Sequence, residues 1–170
     1  NALSTGVPEG LMEAIDVANA DAAIAAIVIV GAGRTFIAGA DITLLEQLAW
    51  GDFSAKPELR PLLQKVEGSS KPVVMAVHGT ALGGGLELAM AGHYRVAVAT
   101  ARLGLPECTL GIIPGAEGTQ RLPRLAGVPK ALDMIVTSKP ITAADALQAG
   151  ILDAIVDLPN SGVALAVNNI

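Results

Sequence analysis

Three short runs of β-branched and small apolar residues constrain this chain more than anything else in it. They are Ala26-Ile27-Val28-Ile29-Val30, Pro72-Val73-Val74-Met75-Ala76-Val77 and residues 94–99, and glycines follow the first two closely. The first two lack the apolar/polar alternation of a strand with one wet face, so they read as buried strands, and residues 94–99 read as a further strand. Between them the spacing changes to that of helices. Leu11, Ile15 and Ala18 recur at helical intervals over 11–20, and residues 42–50, 58–66, 86–91, 118–125 and 130–137 are also read as helical. Residues 79–85 read as a loop, and 51–57 as a polar, broken loop. Thr142 is positioned to cap a helix over 143–149, with Gly150 ending it. Residues 102–105 and 151–156 read as further strands. Strands separated by helices predict one α/β domain with a largely buried sheet.

Composition narrows the function classes. Of the 170 residues, 52% are hydrophobic but only 2% aromatic, so the core is built from Ala, Val, Leu and Ile. The longest apolar stretch, 22–32, is shorter than the roughly 18 residues that span a membrane. It is flanked by Asp21 and Arg34. Nothing reads as a signal peptide. The net charge is −5 and the Lys and Arg residues are scattered, which argues against a nucleic-acid surface. The single cysteine, Cys108, excludes an internal disulfide and a Cys-based metal site. His78 and His93 lack metal-ligand spacing, and all three read as packing residues.

Chemistry concentrates in three segments. Phe36-Ile37-Ala38-Gly39-Ala40-Asp41-Ile42 offers small residues that let a ligand approach the backbone, although alone it reads as well as an ordinary strand-to-helix turn. Leu82-Gly83-Gly84-Gly85-Leu86-Glu87 lacks the Lys-Ser/Thr of a phosphate-binding P-loop and the dinucleotide-binding glycine spacing. It is a glycine run feeding a helix start, where free amides favour a negative oxygen. A tight packing turn would account for the glycines but not for Glu87 one turn into an apolar helix. In the third segment Glu107, in Gly104-Leu105-Pro106-Glu107, is the sole charge between Arg102 and Glu117. Carboxylates in apolar surroundings are costly to ionise, which shifts them toward proton-transfer chemistry.

In wording, order and spacing, the three segments together resemble the enoyl-CoA hydratase/isomerase (crotonase) family. The matching elements are F-x-A-G-A-D-I, A-L-G-G-G-x-E-L-A and L-P-E-x-x-L-G-I-x-P-G-x-x-G-T-Q-R-L. Residues 108–158 look most like the hydratase module of bifunctional hydratase/3-hydroxyacyl-CoA dehydrogenases. The resemblance implies a ClpP/crotonase-like spiral of β-β-α units over residues 1–170, with the family's first strand and C-terminal helices outside them. It implies catalytic carboxylates at Glu87 and Glu107 and an oxyanion hole from the amides of Ala38 and Gly84. Ala38, Gly39, Ala40, Asp41, Ile42, Gly84 and Gly115 would contact the acyl-CoA. No cofactor is implied, since coenzyme A is part of the substrate, and no metal.

The implied reaction is hydration of trans-2-enoyl-CoA in fatty-acid β-oxidation, with 3-enoyl to 2-enoyl isomerisation as a relative of it. The implied partners are other copies, as a trimer or hexamer, or a dehydrogenase module. The implied compartment is the bacterial cytoplasm, or a peroxisome or mitochondrion in a eukaryote. A non-catalytic binding member is the contrasting reading. Two positions depart from the pattern: Thr43 stands where a basic residue often follows A-D-I, and Glu117 where glycine is frequent.

Overall fold

The structure is a computed structural model and describes residues 1–4, 6–41 and 59–157. The helix expected over 42–50, the loop over 51–57 and Ile42 lie outside those residues.

The β-branched runs form the strands they predict. β1 (Ile27–Val30), β2 (Val73–Val77), β4 (Tyr94–Val98) and β7 (Ala154–Val156) make a four-stranded sheet in the order β1-β2-β4-β7. Every pairing in it is parallel, with Ile29 opposite Met75 and Ala76 opposite Val96. β3 (Thr80–Leu82), β5 (Arg102–Gly104) and β6 (Ile141–Thr142) form a second sheet in that order. Isolated parallel bridges extend it, Ile37 to Ala81 and Ala40 to Leu3.

The two sheets are filled alternately along the chain. β2 in the first is followed by β3 in the second and then by helix α3 (Gly84–Ala91); β4 is followed by β5 and then by the 3-10 helix Pro106–Leu110 and helices α4 (Gly118–Ala126) and α5 (Val128–Thr137). β1 and the 37–40 segment repeat the same step. This is the expected spiral of β-β-α units.

Helices α1 (Val7–Ala20), α2 (Leu59–Glu67), α3, α4 and α5 contact one another in succession. They bury Ile15, Leu62, Leu63, Val66, Leu86, Leu88, Leu122 and Met134 with the inward strand residues Val73, Met75 and Val77. Among the described residues Phe36 is the largest fully buried side chain. Val74, Ala76 and Val96 form a smaller cluster on the opposite face of the parallel sheet.

Several boundaries move for identifiable reasons. α1 starts four residues before its expected onset, because Pro8 suits a first turn and Glu9 Oε2 accepts the Gly6 N–H at 2.9 Å. The expected loop 79–85 contains β3, a strand of three residues held by β5 and Ile37 rather than by any period of its own. The expected strand over 151–156 is cut to Ala154–Val156, because Ile151 and Leu152 both donate their N–H to the Ala146 carbonyl at the end of α6 (Ala143–Gln148). Thr142 caps α6 as expected: its Oγ1 accepts the Asp145 N–H at 3.0 Å.

Candidate active site

The glycine run places β3's end and α3's start against the neighbouring strands. Gly83 has φ 52°, a left-handed value suited to glycine, and its N–H bonds the Gly104 carbonyl at 2.9 Å. A side chain at Gly85 would lie 2.3 Å from the Ile37 carbonyl oxygen, so only glycine lets α3 seat on that segment. α3 is buried along its whole length, and Glu87 goes in with it, 2% exposed.

Glu87 is held rather than stranded. Its Oε1 accepts the Ala116 N–H at 2.8 Å and the Gly118 N–H at 2.7 Å. These donors come from the turn into α4 and its first residue, so a side chain on one helix is clamped by the start of another. Burial pushes the Glu87 pKa up, against the pull of those two amides; the nearby Glu117 charge adds to the rise and Arg60 opposes it.

Glu107 comes from the 3-10 helix and is 8% exposed. A Cβ on Gly83 would lie 3.0 Å from its Oε1, and a Cβ on Gly84 would lie 4.0 Å from Glu87 Oε2. The two carboxylates therefore face the same stretch of glycine backbone. Among the described residues Glu107 Oε2 has no hydrogen-bond partner. Burial, reinforced by the Glu87 charge and opposed by the hydrogen bond to its own backbone, pushes the Glu107 pKa to about 7. One carboxylate is clamped by two amides; its neighbour keeps a bare oxygen and titrates near neutrality. That is the division expected of a base and an acid.

The remaining expected residues fall nearby, with one change. Gly84 opens α3, where backbone N–H groups have no acceptor within the helix. Leu59 and Leu3 approach it closely and make an apolar wall. Ala38, expected to give an oxyanion-hole amide, donates its N–H to the Asn1 carbonyl at 2.9 Å instead. Gly39, at φ 131°, turns the strand so that its carbonyl bonds Leu3 N–H at 2.9 Å. In the parallel Leu3 to Ala40 bridge the flanking peptide groups face Leu3, which leaves the Ala40 N–H on the opposite edge. Gly115 lies in the turn carrying the Glu87 clamp, and its carbonyl accepts from Arg60 Nη2 at 3.4 Å. Asp41 is described at the end of this segment, while Ile42 is not. Among the described residues no cluster of three His, Cys, Asp or Glu side chains is arranged to hold a metal ion.

The clamp amides of Ala116 and Gly118 are absent from the residue set that sequence reasoning selects. Their one sequence trace is Gly115-Ala116-Glu117-Gly118, a small-residue turn that shows nothing of its target.

A two-sheet β-β-α spiral with paired buried carboxylates at a glycine-rich helix start defines a crotonase-fold protein. Residues 1–163 match the enoyl-CoA hydratase/isomerase family, and the chain belongs to it. It is 51% identical over 158 residues to the peroxisomal bifunctional enzyme of Cavia porcellus, covering 92% of this chain and 21% of that protein. It is 47% identical over 154 residues to a probable enoyl-CoA hydratase of Bacillus subtilis, covering 89% of this chain and 60% of that one. The crystal structure of enoyl-CoA hydratase from Bacillus anthracis superposes with a TM-score of 0.85 at 38% identity, covering 99% of this chain and 64% of that one. The chain thus spans about a fifth of the bifunctional relative and under two thirds of the single-function ones.

Proposed function

We propose that this chain carries the hydratase site of a β-oxidation enzyme, adding water across trans-2-enoyl-CoA to give 3-hydroxyacyl-CoA. The observation that carries the reading is the asymmetric pair: Glu87 clamped by two amides and Glu107 with a bare buried oxygen and a pKa near 7. In this reading Glu87 takes a proton from water as the water oxygen bonds to C3. The electron pair of the C2–C3 double bond moves onto the thioester oxygen as an enolate. Glu107 then gives its proton to C2 as the carbonyl re-forms, and solvent restores both carboxyls.

The enolate needs fixed donors in a water-poor site. Gly84 N–H, at the helix start, is one. Ala40 N–H is the better candidate for the second, because Ala38 N–H already serves Asn1. Ala38, Gly39, Asp41 and Gly115 remain the nearby backbone along which the acyl-CoA is read to lie, with coenzyme A entering only as part of the substrate. The same two carboxylates can shuttle a proton between C2 and C4, which is the isomerase reaction in the family's name.

The exposed apolar side chains Val128, Leu132 and Val136, one stripe on α5, support contact with a further body. We read that body as a dehydrogenase module of the same protein, as in the bifunctional relatives, or as another copy. Relatives named from peroxisomes and from a bacterium support a β-oxidation compartment of either kind. Among the described residues no helix is long and apolar enough to cross a membrane.

The test is hydration of crotonyl-CoA by the protein and by Glu87→Gln and Glu107→Gln. Each variant should lose at least about 10²-fold in kcat, the usual contribution of a positioned acid or base. Near wild-type turnover in either removes that residue from the mechanism.

A further inference from the structure

Among the described residues only Glu117 and Ser138 hold a non-glycine backbone at positive φ. Glu117, at φ 69° and ψ 11°, sits immediately before α4. Such a conformation is ordinary for glycine and uncommon for glutamate, so the surroundings must enforce it. Its consequence is local and geometric. A left-handed residue between two ordinary ones turns neighbouring N–H groups toward a common point. Here Ala116 N–H and Gly118 N–H converge on one oxygen, Oε1 of Glu87, at 2.8 and 2.7 Å.

The Glu117 side chain is anchored as well. Its Oε2 accepts from Arg121 Nη2 at 2.9 Å, one turn further along α4. Arg121 also makes a two-pronged pair with Glu67 of α2, at 3.1 Å through Nη1 and 2.9 Å through Nη2. The Arg121 side chain is 12% exposed and that of Glu67 60%, so the pair links the two helices at the protein's edge.

We propose that Glu117 is a positioning residue for Glu87: its left-handed backbone aims the two clamping amides at Oε1, and its side chain, tied through Arg121 to Glu67, holds the turn in that conformation. Among the described residues the charged groups facing Glu87 are Arg60 from α2, Glu107 from the 3-10 helix and Glu117 from the α4 turn, with Arg121 and Glu67 behind Glu117. Burial and Glu117 raise the Glu87 pKa while the amides and Arg60 lower it, so loss of the clamp would leave Glu87 titrating higher. This assignment rests on reading Glu87 as the base.

The experiment compares Glu117→Ala with Glu117→Gly, following the 13C carboxyl titration of Glu87, assigned by its loss in Glu87→Gln. The pH profile of kcat/KM for crotonyl-CoA is measured alongside. Both variants lose the Glu117 charge and the tie to Arg121, and they differ in the backbone: glycine adopts the left-handed conformation freely and alanine resists it. Glu87 should titrate at higher pH in Glu117→Ala than in Glu117→Gly, with the acid limb of kcat/KM displaced the same way. A purely structural role would change stability or kcat without separating the two titrations.

Equal Glu87 titrations in the two folded variants, or a lower one in Glu117→Ala, overturn the assignment, because the backbone at 117 is what distinguishes them. Titration needs no turnover, which separates the two readings. If the wild type fails to hydrate crotonyl-CoA but the two titrations separate, the hydratase reading falls and this one stands. If Glu87→Gln abolishes hydration while the two Glu117 variants titrate alike, this one falls alone.

Discussion

Gly118→Ala tests the clamp on Glu87 most directly. Gly118 is the first residue of α4, and its backbone conformation suits alanine. The added methyl, however, would sit 2.8 Å from Glu87 Oε1 and 3.1 Å from Glu87 Cγ, with Pro114 Cβ 2.9 Å away. The proline ring cannot bend aside, so the glutamate has to move. Reaching an ordinary contact of 3.4 Å requires a retreat of roughly 0.6 Å by Oε1. The hydrogen bonds from Ala116 and Gly118, now 2.8 and 2.7 Å, stretch by a similar amount. Hydrogen bonds to a charged group contribute about 1.5–3 kcal/mol each, and overpacking a buried site costs about 1–3 kcal/mol.

We expect a folded variant with a lower melting temperature and a loss of about 10- to 100-fold in kcat for crotonyl-CoA hydration, the scale of sub-ångström to 1 Å misplacement of a reacting group. Those amides hold the Glu87 pKa down, so weakening them also moves the acid limb of kcat/KM to higher pH. The assay is steady-state hydration across pH, beside thermal melts. A well-folded Gly118→Ala protein with unchanged kcat and an unchanged acid limb would refute the claim that this clamp positions Glu87.

Two further outcomes are expected. Burial raises Glu107 from the ordinary carboxylate value of 4.5 to about 7, so between those values the folded protein keeps a proton that the unfolded chain has released. Stability is thus greatest below pH 4.5 with respect to this group and falls by as much as about 3 kcal/mol as pH rises through 7. Urea melts of Glu107→Gln should show a flatter decline over that window, and a slope identical to wild type would contradict the shift. Gly10→Ala adds a methyl with no neighbour within 4 Å in an exposed part of α1, so it should stabilise by about 0.5–1 kcal/mol and leave hydration unchanged. A loss of stability would mean that α1 is not helical at this position.

Most of what the sequence by itself determined concerns chemistry that neighbours in the chain can dictate. The β-branched runs at 27–30 and 73–77 become parallel strands; 73–77, between two neighbours, is buried throughout as its sequence implies, whereas 27–30 ends the described sheet order and is only partly buried. Thr142 and Asp145 cap α6 across three residues. Glu87 and Glu107 stand out because an apolar segment has no structural use for an unpaired carboxylate. The glycine run before α3 is legible for the same reason, as only bare backbone gives amides that clearance.

Tertiary structure decided what depends on residues far apart in the chain. β3 exists because β5 and Ile37 supply its partners. The Ala38 N–H meets a carbonyl at Asn1, far back in the chain, while the Ala40 N–H faces the other edge. Above all, the sequence marks Glu87 but not what holds it. The amides of Ala116 and Gly118 lie 29 and 31 residues away, and Glu67 meets Arg121 across 54. A backbone N–H is the same group at every non-proline residue, so its target depends on the path of the chain and not on residue type. The identity of the carboxylates is local, and their separation into one clamped by two amides and one with a bare oxygen is a product of the fold.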